Sequence, residues 1–229
     1  MAFSGLILVG FVFVHMLGNL NMFVGADSMN TYAHFLQNLP FHLLWINRFA
    51  LLGATFIHVW MAILLTLENR RAHPTNYAVK TRMGSTLASK TMGVSGSIIL
   101  IFIFFHIADF TLRIIFPEYQ SDYFYTQLNG VTVYNVYAMI IASFSKVWVS
   151  LFYIIAMAFL CMHLSHGVSS MFQTVGLRNS KWKNRIDSFA LAYGWIIFLG
   201  FISVPVCVLL SKFKIIHVFP NLSVLLTNF

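Results

Sequence analysis

Five mostly apolar runs, each long enough to cross a bilayer, constrain this chain more than any other feature of its sequence. They lie at about 1–20, 43–67, 92–116, 134–172 and 188–210. A hydrocarbon core about 30 Å thick takes roughly 20 apolar residues in a helix, because a helix satisfies its backbone polar groups within one segment. Five such spans and their loops use nearly all of the 229 residues. The expected fold is all-α, an integral membrane five-helix bundle, with 1–229 as one membrane domain. The run at 134–172 exceeds one crossing and is expected to overshoot the bilayer. The stretch 211–229 is apolar again, but Lys212, Lys214, Pro220 and Asn221 interrupt it, so it is read as an interfacial tail. No Lys or Arg precedes Arg48 and no small-residue cleavage pattern follows the first run, so that run is expected to be a membrane helix rather than a leader. No internal repeat or low-complexity tract is read along the chain.

Composition narrows the function. Charged residues make up 9% of the chain, against about 25% in soluble domains. The net charge of +8 is, in such a chain, an orientation signal before it is a nucleic-acid signal, and nucleic acid is not an expected partner. Nine of the fourteen basic residues fall in two loops: Arg70, Arg71, Lys80, Arg82 and Lys90 in one, Arg178, Lys181, Lys183 and Arg185 in the other. The segments 21–42 and 117–133 carry Asp27, Glu118 and Asp122 with no Lys or Arg. Positive charge marks the cytoplasmic side, so the N-terminus and both basic loops are expected inside and the C-terminus outside. The two cysteines, Cys161 and Cys207, sit within apolar runs and form neither a disulfide framework nor a thiolate metal site.

Four histidines, His15, His58, His106 and His163, fall one apiece in the first four spans. A lone membrane histidine is ordinarily a core residue bonded to a carbonyl, but ionisable groups at this depth are costly and call for named partners. Their spacing pairs them. His15 lies fourteen residues past Met1 and His106 fourteen past Met92, whereas His58 lies ten before Glu68 and His163 ten before Gln173. At 1.5 Å per residue the two levels are about 21 and 15 Å from the inner helix ends. Two imidazoles at equal depth on facing helices are what one haem b needs, and two pairs imply two haems. Gly18, Gly53, Ala54, Gly96 and Gly167 leave room for a flat group near the backbone, as small residues do in any helix contact. His166, one turn from His163, is the alternative ligand, with Gly167 favouring His163. Propionates need basic or hydroxyl partners, for which Arg70, Arg71, Arg82, Ser89, Lys90, Thr91 and His166 are the candidates; lipid headgroups compete for the same cations. Asp109 has two readings, a helix ion pair with Arg113 or a proton-transfer carboxyl.

Four segments together resemble the single-chain, di-haem cytochrome b membrane anchor of succinate dehydrogenases and fumarate reductases. They are HMLGNLNMFVG with NTYAHFL, IHVWMAILLTLENRRAHPTNY, SKTMGVSGSIILIFIFFHIADF and MHLSHGVSSMFQTVG. The resemblance implies five helices around two stacked b haems, with His15 and His106 on the iron of the outer haem and His58 and His163 on that of the inner. It implies two partners on the cytoplasmic face of a bacterial inner membrane: a flavoprotein and an iron–sulfur subunit. It also implies a membrane quinone as substrate, menaquinone being expected, and leaves a homodimer of the complex open. Asp27, Asn30, Tyr32, His34 and Gln37, between the first two spans, are of the right chemical kind for a quinone site. One departure stands out: Lys90 occupies a place where the family pattern calls for arginine, and a lysine makes no planar forked contact with a propionate.

Three other readings compete. Another di-haem quinone-reactive subunit, of hydrogenase, formate dehydrogenase or nitrate reductase type, keeps the haems and changes the partners. A membrane di-iron hydroxylase is raised by His163-x-x-His166, although its chemistry needs clustered histidine boxes. A transporter with a histidine proton relay would have no haem.

Overall fold

The computed structural model describes residues 1–72 and 92–219. Among these residues the chain is mostly helical, and five helices are long and apolar enough to cross a membrane: Ala2–Phe23, Pro40–Glu68, Met92–Thr111, Val147–Thr174 and Lys183–Lys212. This is the pattern of a multi-pass membrane protein. In chain order the α-helices are α1 (Ala2–Asn19), α2 (Ala26–Gln37), α3 (Leu43–Ala72), α4 (Met92–His106), α5 (Val136–Phe144), α6 (Val147–Thr174) and α7 (Lys183–Lys212). Large apolar side chains line the outer faces, among them Phe49, Phe56 and Trp60 on α3 and Val94, Ile101 and Phe104 on α4. Lipid tails cover such a surface without the penalty water would impose.

Helix α6 is the centre of the bundle. It packs along α7 and also against α4 and α1, while α1 packs against α3 and α7. Gly194 makes the α6–α7 contact close: a Cβ there would sit 2.9 Å from the Cys161 carbonyl oxygen. Small residues at such crossings let membrane helices approach. Neither α1 with α4 nor α3 with α6 is a packed pair among the described residues. Those helices carry the four histidines.

The run at 134–172 is not one overshooting helix. Tyr134 ends a β-strand, and α5 and α6 are separated by a break at Ser145 and Lys146. The carbonyls freed by the break find donors: Ser150 Oγ donates to Phe144 at 2.5 Å and Lys212 Nζ donates to Ser145 at 2.7 Å. Lys146 itself turns outward to Glu118, 3.1 Å away, and lies over the Phe116 ring. A lysine in mid-helix would have faced hydrocarbon; at the break its charge reaches a carboxylate. Helix α5 is thus a short plug, buried from Tyr137 to Phe144.

The span at 92–116 is shorter than its apolar length. After His106 the chain makes a π turn over Ile107–Thr111, and Arg113, with φ of 57°, stops it. Beyond it, strands β1 (Tyr125–Leu128) and β2 (Val131–Tyr134) pair antiparallel around Asn129-Gly130, both at positive φ. Such a two-residue turn favours Asn-Gly because both positions are left-handed. The hairpin, α2 and α5 close this end of the bundle over a core of Tyr119, Phe124, Ile141, Phe144 and Val149. At the opposite end Gly176, with φ of 78°, terminates α6, and Arg178 grips Asp187 with two bonds of 2.8 and 2.9 Å. That contact holds the Arg178 guanidinium above its already high pKa. The interfacial tail lies partly outside the described residues: α7 ends at Lys212, and 220–229 are not described.

Candidate metal centre

The four membrane histidines meet in twos. The rings of His15 and His106 have centroids 5.7 Å apart, and those of His58 and His163 6.3 Å apart, with interplanar angles of 77° and 64°. Two nitrogens each about 2 Å from a common metal, with the ring radii added, put centroids near 6 Å. The pairs are those that depth counting gives. All four rings are half-buried. His166 is not the ring that meets His58; its Nε2 lies 3.1 Å from Ser170 Oγ, one turn on.

The separation of the levels differs from the expected one. Ser4 of α1 lies beside His58, and Ser95 of α4 beside His163. His15 and His106 are each eleven residues further along those helices, or about 16 Å at the helical rise. Counting from helix ends gives only about 6 Å. The ends are a poor ruler because α3 continues fourteen residues past His58, to Ala72, while α1 starts only three residues before Gly5, which faces the same ring.

The side chains behind the imidazoles were not anticipated. Ser4 Oγ is 3.4 Å from His58 Nδ1 and Ser95 Oγ is 3.1 Å from His163 Nδ1. Glycine follows each serine, and a Cβ at Gly5 or Gly96 would stand 3.6 or 3.4 Å from Cε1 of the same ring. The signal was an internal repeat that the sequence reading missed. Met1–His15 and Met92–His106 share Met, Ser, Gly, Ile, Phe, Phe and His at matching places, seven of fifteen. The first of those phenylalanines stacks on the histidine four residues later in both copies: Phe11 on His15 at 5.3 Å and Phe102 on His106 at 5.7 Å.

His106 Nδ1 lies 3.4 Å from the Tyr153 hydroxyl, which donates to Asp109 Oδ2 at 3.3 Å. Ser143 Oγ donates to the same oxygen at 3.0 Å. Asp109 is fully buried and does not pair with Arg113, whose guanidinium lies 3.9 Å over the Tyr134 ring. The π turn widens the helix at this point, a feature common at functional sites. Nearby, burial pushes the Tyr119 phenol above its usual pKa. His15 is held differently, with Asn19 Nδ2 at 3.5 Å from Nε2 and donating to the His15 carbonyl at 2.8 Å.

Other expected site residues are dispersed. The segment with Asp27, Asn30, Tyr32, His34 and Gln37 is a helix, α2, rather than a loop. Asn30 is buried and its amide is occupied, accepting from Tyr137 N–H and donating to Asn135 at 3.1 Å each, so it anchors α5. The Tyr32 ring fills the space beside Gly18, which is therefore closed to a flat group. His34 contacts Asn38, and Asp27 and Gln37 are exposed. Gly53 has open space where a Cβ would stand, and Gly167 has only Met92 Cε at 4.0 Å. Gly53 and Ala54, with Ser4, line an apolar groove of about 300 Å³ between α1 and α3. Arg70 and Arg71 sit in the last turn of α3, and Arg71 is exposed. Arg82, Ser89, Lys90 and Thr91 lie outside the described residues.

No three His, Cys, Asp or Glu side chains converge on one point among the described residues. Two imidazoles alone do not complete the coordination of a metal, so a metal at either pair would need further ligands, of the kind a macrocycle supplies. Paired rings at both levels, with Gly5 and Gly96 at the edges of the His58–His163 pair, are the donor set that a haem would take. Comparison with protein-family models, curated proteins and solved structures finds no match for the chain.

Proposed function

We propose that the chain is the membrane-anchoring, di-haem cytochrome b subunit of a succinate:quinone oxidoreductase. The observation that carries the haem assignment is the meeting of His15 with His106 and of His58 with His163 across helices that are not otherwise packed. In this reading each pair would hold one b haem through its imidazole nitrogens. Bound there, the haems would supply one-electron carriers at two depths of the bilayer. The di-iron reading is weakened, since the described residues bring such ligands together only in twos.

The assignment to succinate or fumarate chemistry rests on the four resembling segments. The basic end, with Arg178, Lys181, Lys183 and Arg185, is the proposed cytoplasmic face, where an iron–sulfur subunit and a flavoprotein dock. The hairpin end is the proposed outer side, with menaquinone handled near the His15–His106 pair. Exposed Asp27 and Gln37, rather than Asn30, are the α2 side chains free to meet it.

A reduced-minus-oxidised absorption spectrum with a haem-to-protein ratio tests the reading. Two low-spin b haems per purified chain are expected. His58→Ala and His163→Ala should remove the same haem, and His15→Ala and His106→Ala the other. A colourless chain, or loss of one haem common to His15 and His58 variants, would overturn it. Co-purification with hydrogenase, formate dehydrogenase or nitrate reductase subunits would keep the haems and move the chain to that class.

A further inference from the structure

The hydrogen bonds behind three of the four histidines have a direction that the protons themselves dictate. A hydroxyl has one proton to donate and two lone pairs to accept with. Ser4 Oγ donates to the Met1 carbonyl at 2.9 Å and Ser95 Oγ donates to the Met92 carbonyl at 3.1 Å, the same bond in both copies of the repeat. With that proton committed to the carbonyl, their oxygens, 3.4 and 3.1 Å from His58 Nδ1 and His163 Nδ1, are placed to accept from those nitrogens. Tyr153 likewise gives its proton to Asp109 Oδ2 and turns its oxygen to His106 Nδ1. A neutral imidazole whose Nδ1 carries the proton has its lone pair on Nε2.

We infer that Ser4, Ser95 and Tyr153 are positioning residues that hold His58, His163 and His106 in the Nδ1–H tautomer, presenting Nε2 to a metal and tuning its potential. This rests on the di-haem reading. An acceptor on Nδ1–H makes the imidazole a more basic ligand and favours oxidised iron. Removing the hydroxyl therefore raises the potential, and only at the level it serves. Ser4 and Ser95 serve the His58–His163 pair from its two sides; Tyr153 serves the His15–His106 pair.

The test is a mediated redox titration of the purified full-length chain, followed by haem absorption. Ser95→Ala and Ser4→Ala are each expected to raise the midpoint of one haem and leave the other in place. Tyr153→Phe is expected to raise the midpoint of the other haem. Ser95→Thr, which keeps the hydroxyl, should titrate as the unaltered chain. Ser97→Ala should do the same, since Ser97 is exposed and among the described residues bonds only the Gly93 carbonyl. Should Ser95→Ala lose haem, loss of the His58–His163 haem alone supports the inference and loss of both overturns it. Unmoved midpoints, a shift of the same haem by Ser95→Ala and Tyr153→Phe, or a Thr variant that shifts as far as Ala would also overturn it. An unaltered chain without haem defeats the di-haem reading instead, whereas two haems with unmoved midpoints defeat this inference alone.

Discussion

Asp109→Ala removes the acceptor of two buried hydroxyls, and the structure sets the size of the loss. Ser143 is fully buried and Tyr153 is 6% exposed, so neither hydroxyl finds water when the carboxyl goes. Orphaning a buried donor costs about 1–3 kcal/mol. Two orphans bring the loss to about 2–6 kcal/mol, at the low end because Asp109 Oδ1 is itself buried without a hydrogen-bond partner among the described residues and its removal offsets part. A destabilisation of about 2 kcal/mol is expected, read from reversible unfolding in mixed detergent micelles. Hydrogen bonds between membrane helices couple by about 0.6 kcal/mol each in double-mutant cycles. Asp109→Ala combined with Ser143→Ala and Tyr153→Phe should therefore cost about 1 kcal/mol less than the three separately. Arg113→Ala serves as the control, since its guanidinium lies over Tyr134 rather than on the carboxyl, and should cost under about 1 kcal/mol. Equal losses from Asp109→Ala and Arg113→Ala, with coupling between those two and none to Tyr153, would refute the network and restore a local helix ion pair.

Gly194→Ala should lower stability by about 1–3 kcal/mol through overpacking, because its methyl meets the Cys161 carbonyl. Gly93→Ala has nothing within 4 Å and should be neutral or stabilising; equal losses from the two in thermal unfolding would remove the close-approach argument. Asn135→Ala loses the cap to Ala138 N–H and the acceptor of the Asn30 amide, and should cost about 1–2 kcal/mol, with Asn135→Asp restoring most of it. Arg178→Lys gives up the forked contact with Asp187 and should speed amide exchange over 177–187 while changing global stability by less than about 1 kcal/mol. Unchanged exchange there would mean that the contact does not order the turn.

Much of the architecture was legible because apolar length is a local property. Three of the five spans stand close to where hydropathy puts them, and the two exceptions, at 92–116 and 134–172, have local causes. The Asn129-Gly130 turn announces a hairpin, but the neighbouring aromatic and β-branched residues continue into an apolar run and hide the boundary. Ser145-Lys146 breaks the fourth run because Glu118, distant in sequence, offers the lysine a partner. The repeat at the starts of α1 and α4 was present in plain letters, but a search guided by charge and span length passes over a serine and a glycine in apolar surroundings. The α2 residues read as a loop site because their polarity hides a helix whose buried Asn30 faces α5.

From its letters alone, this chain is a multi-span helical membrane protein with at least one imidazole in each of its first four spans, because the bilayer sorts segments by their own apolarity and length. The tertiary structure decided how far apart the two histidine levels lie, that His163 rather than His166 faces His58, that Asp109 bonds Ser143 and Tyr153, and that two serines stand behind the His58–His163 pair. Those are distances between helices. They depend on where each helix begins, breaks and is allowed to approach its neighbour, which no single segment encodes.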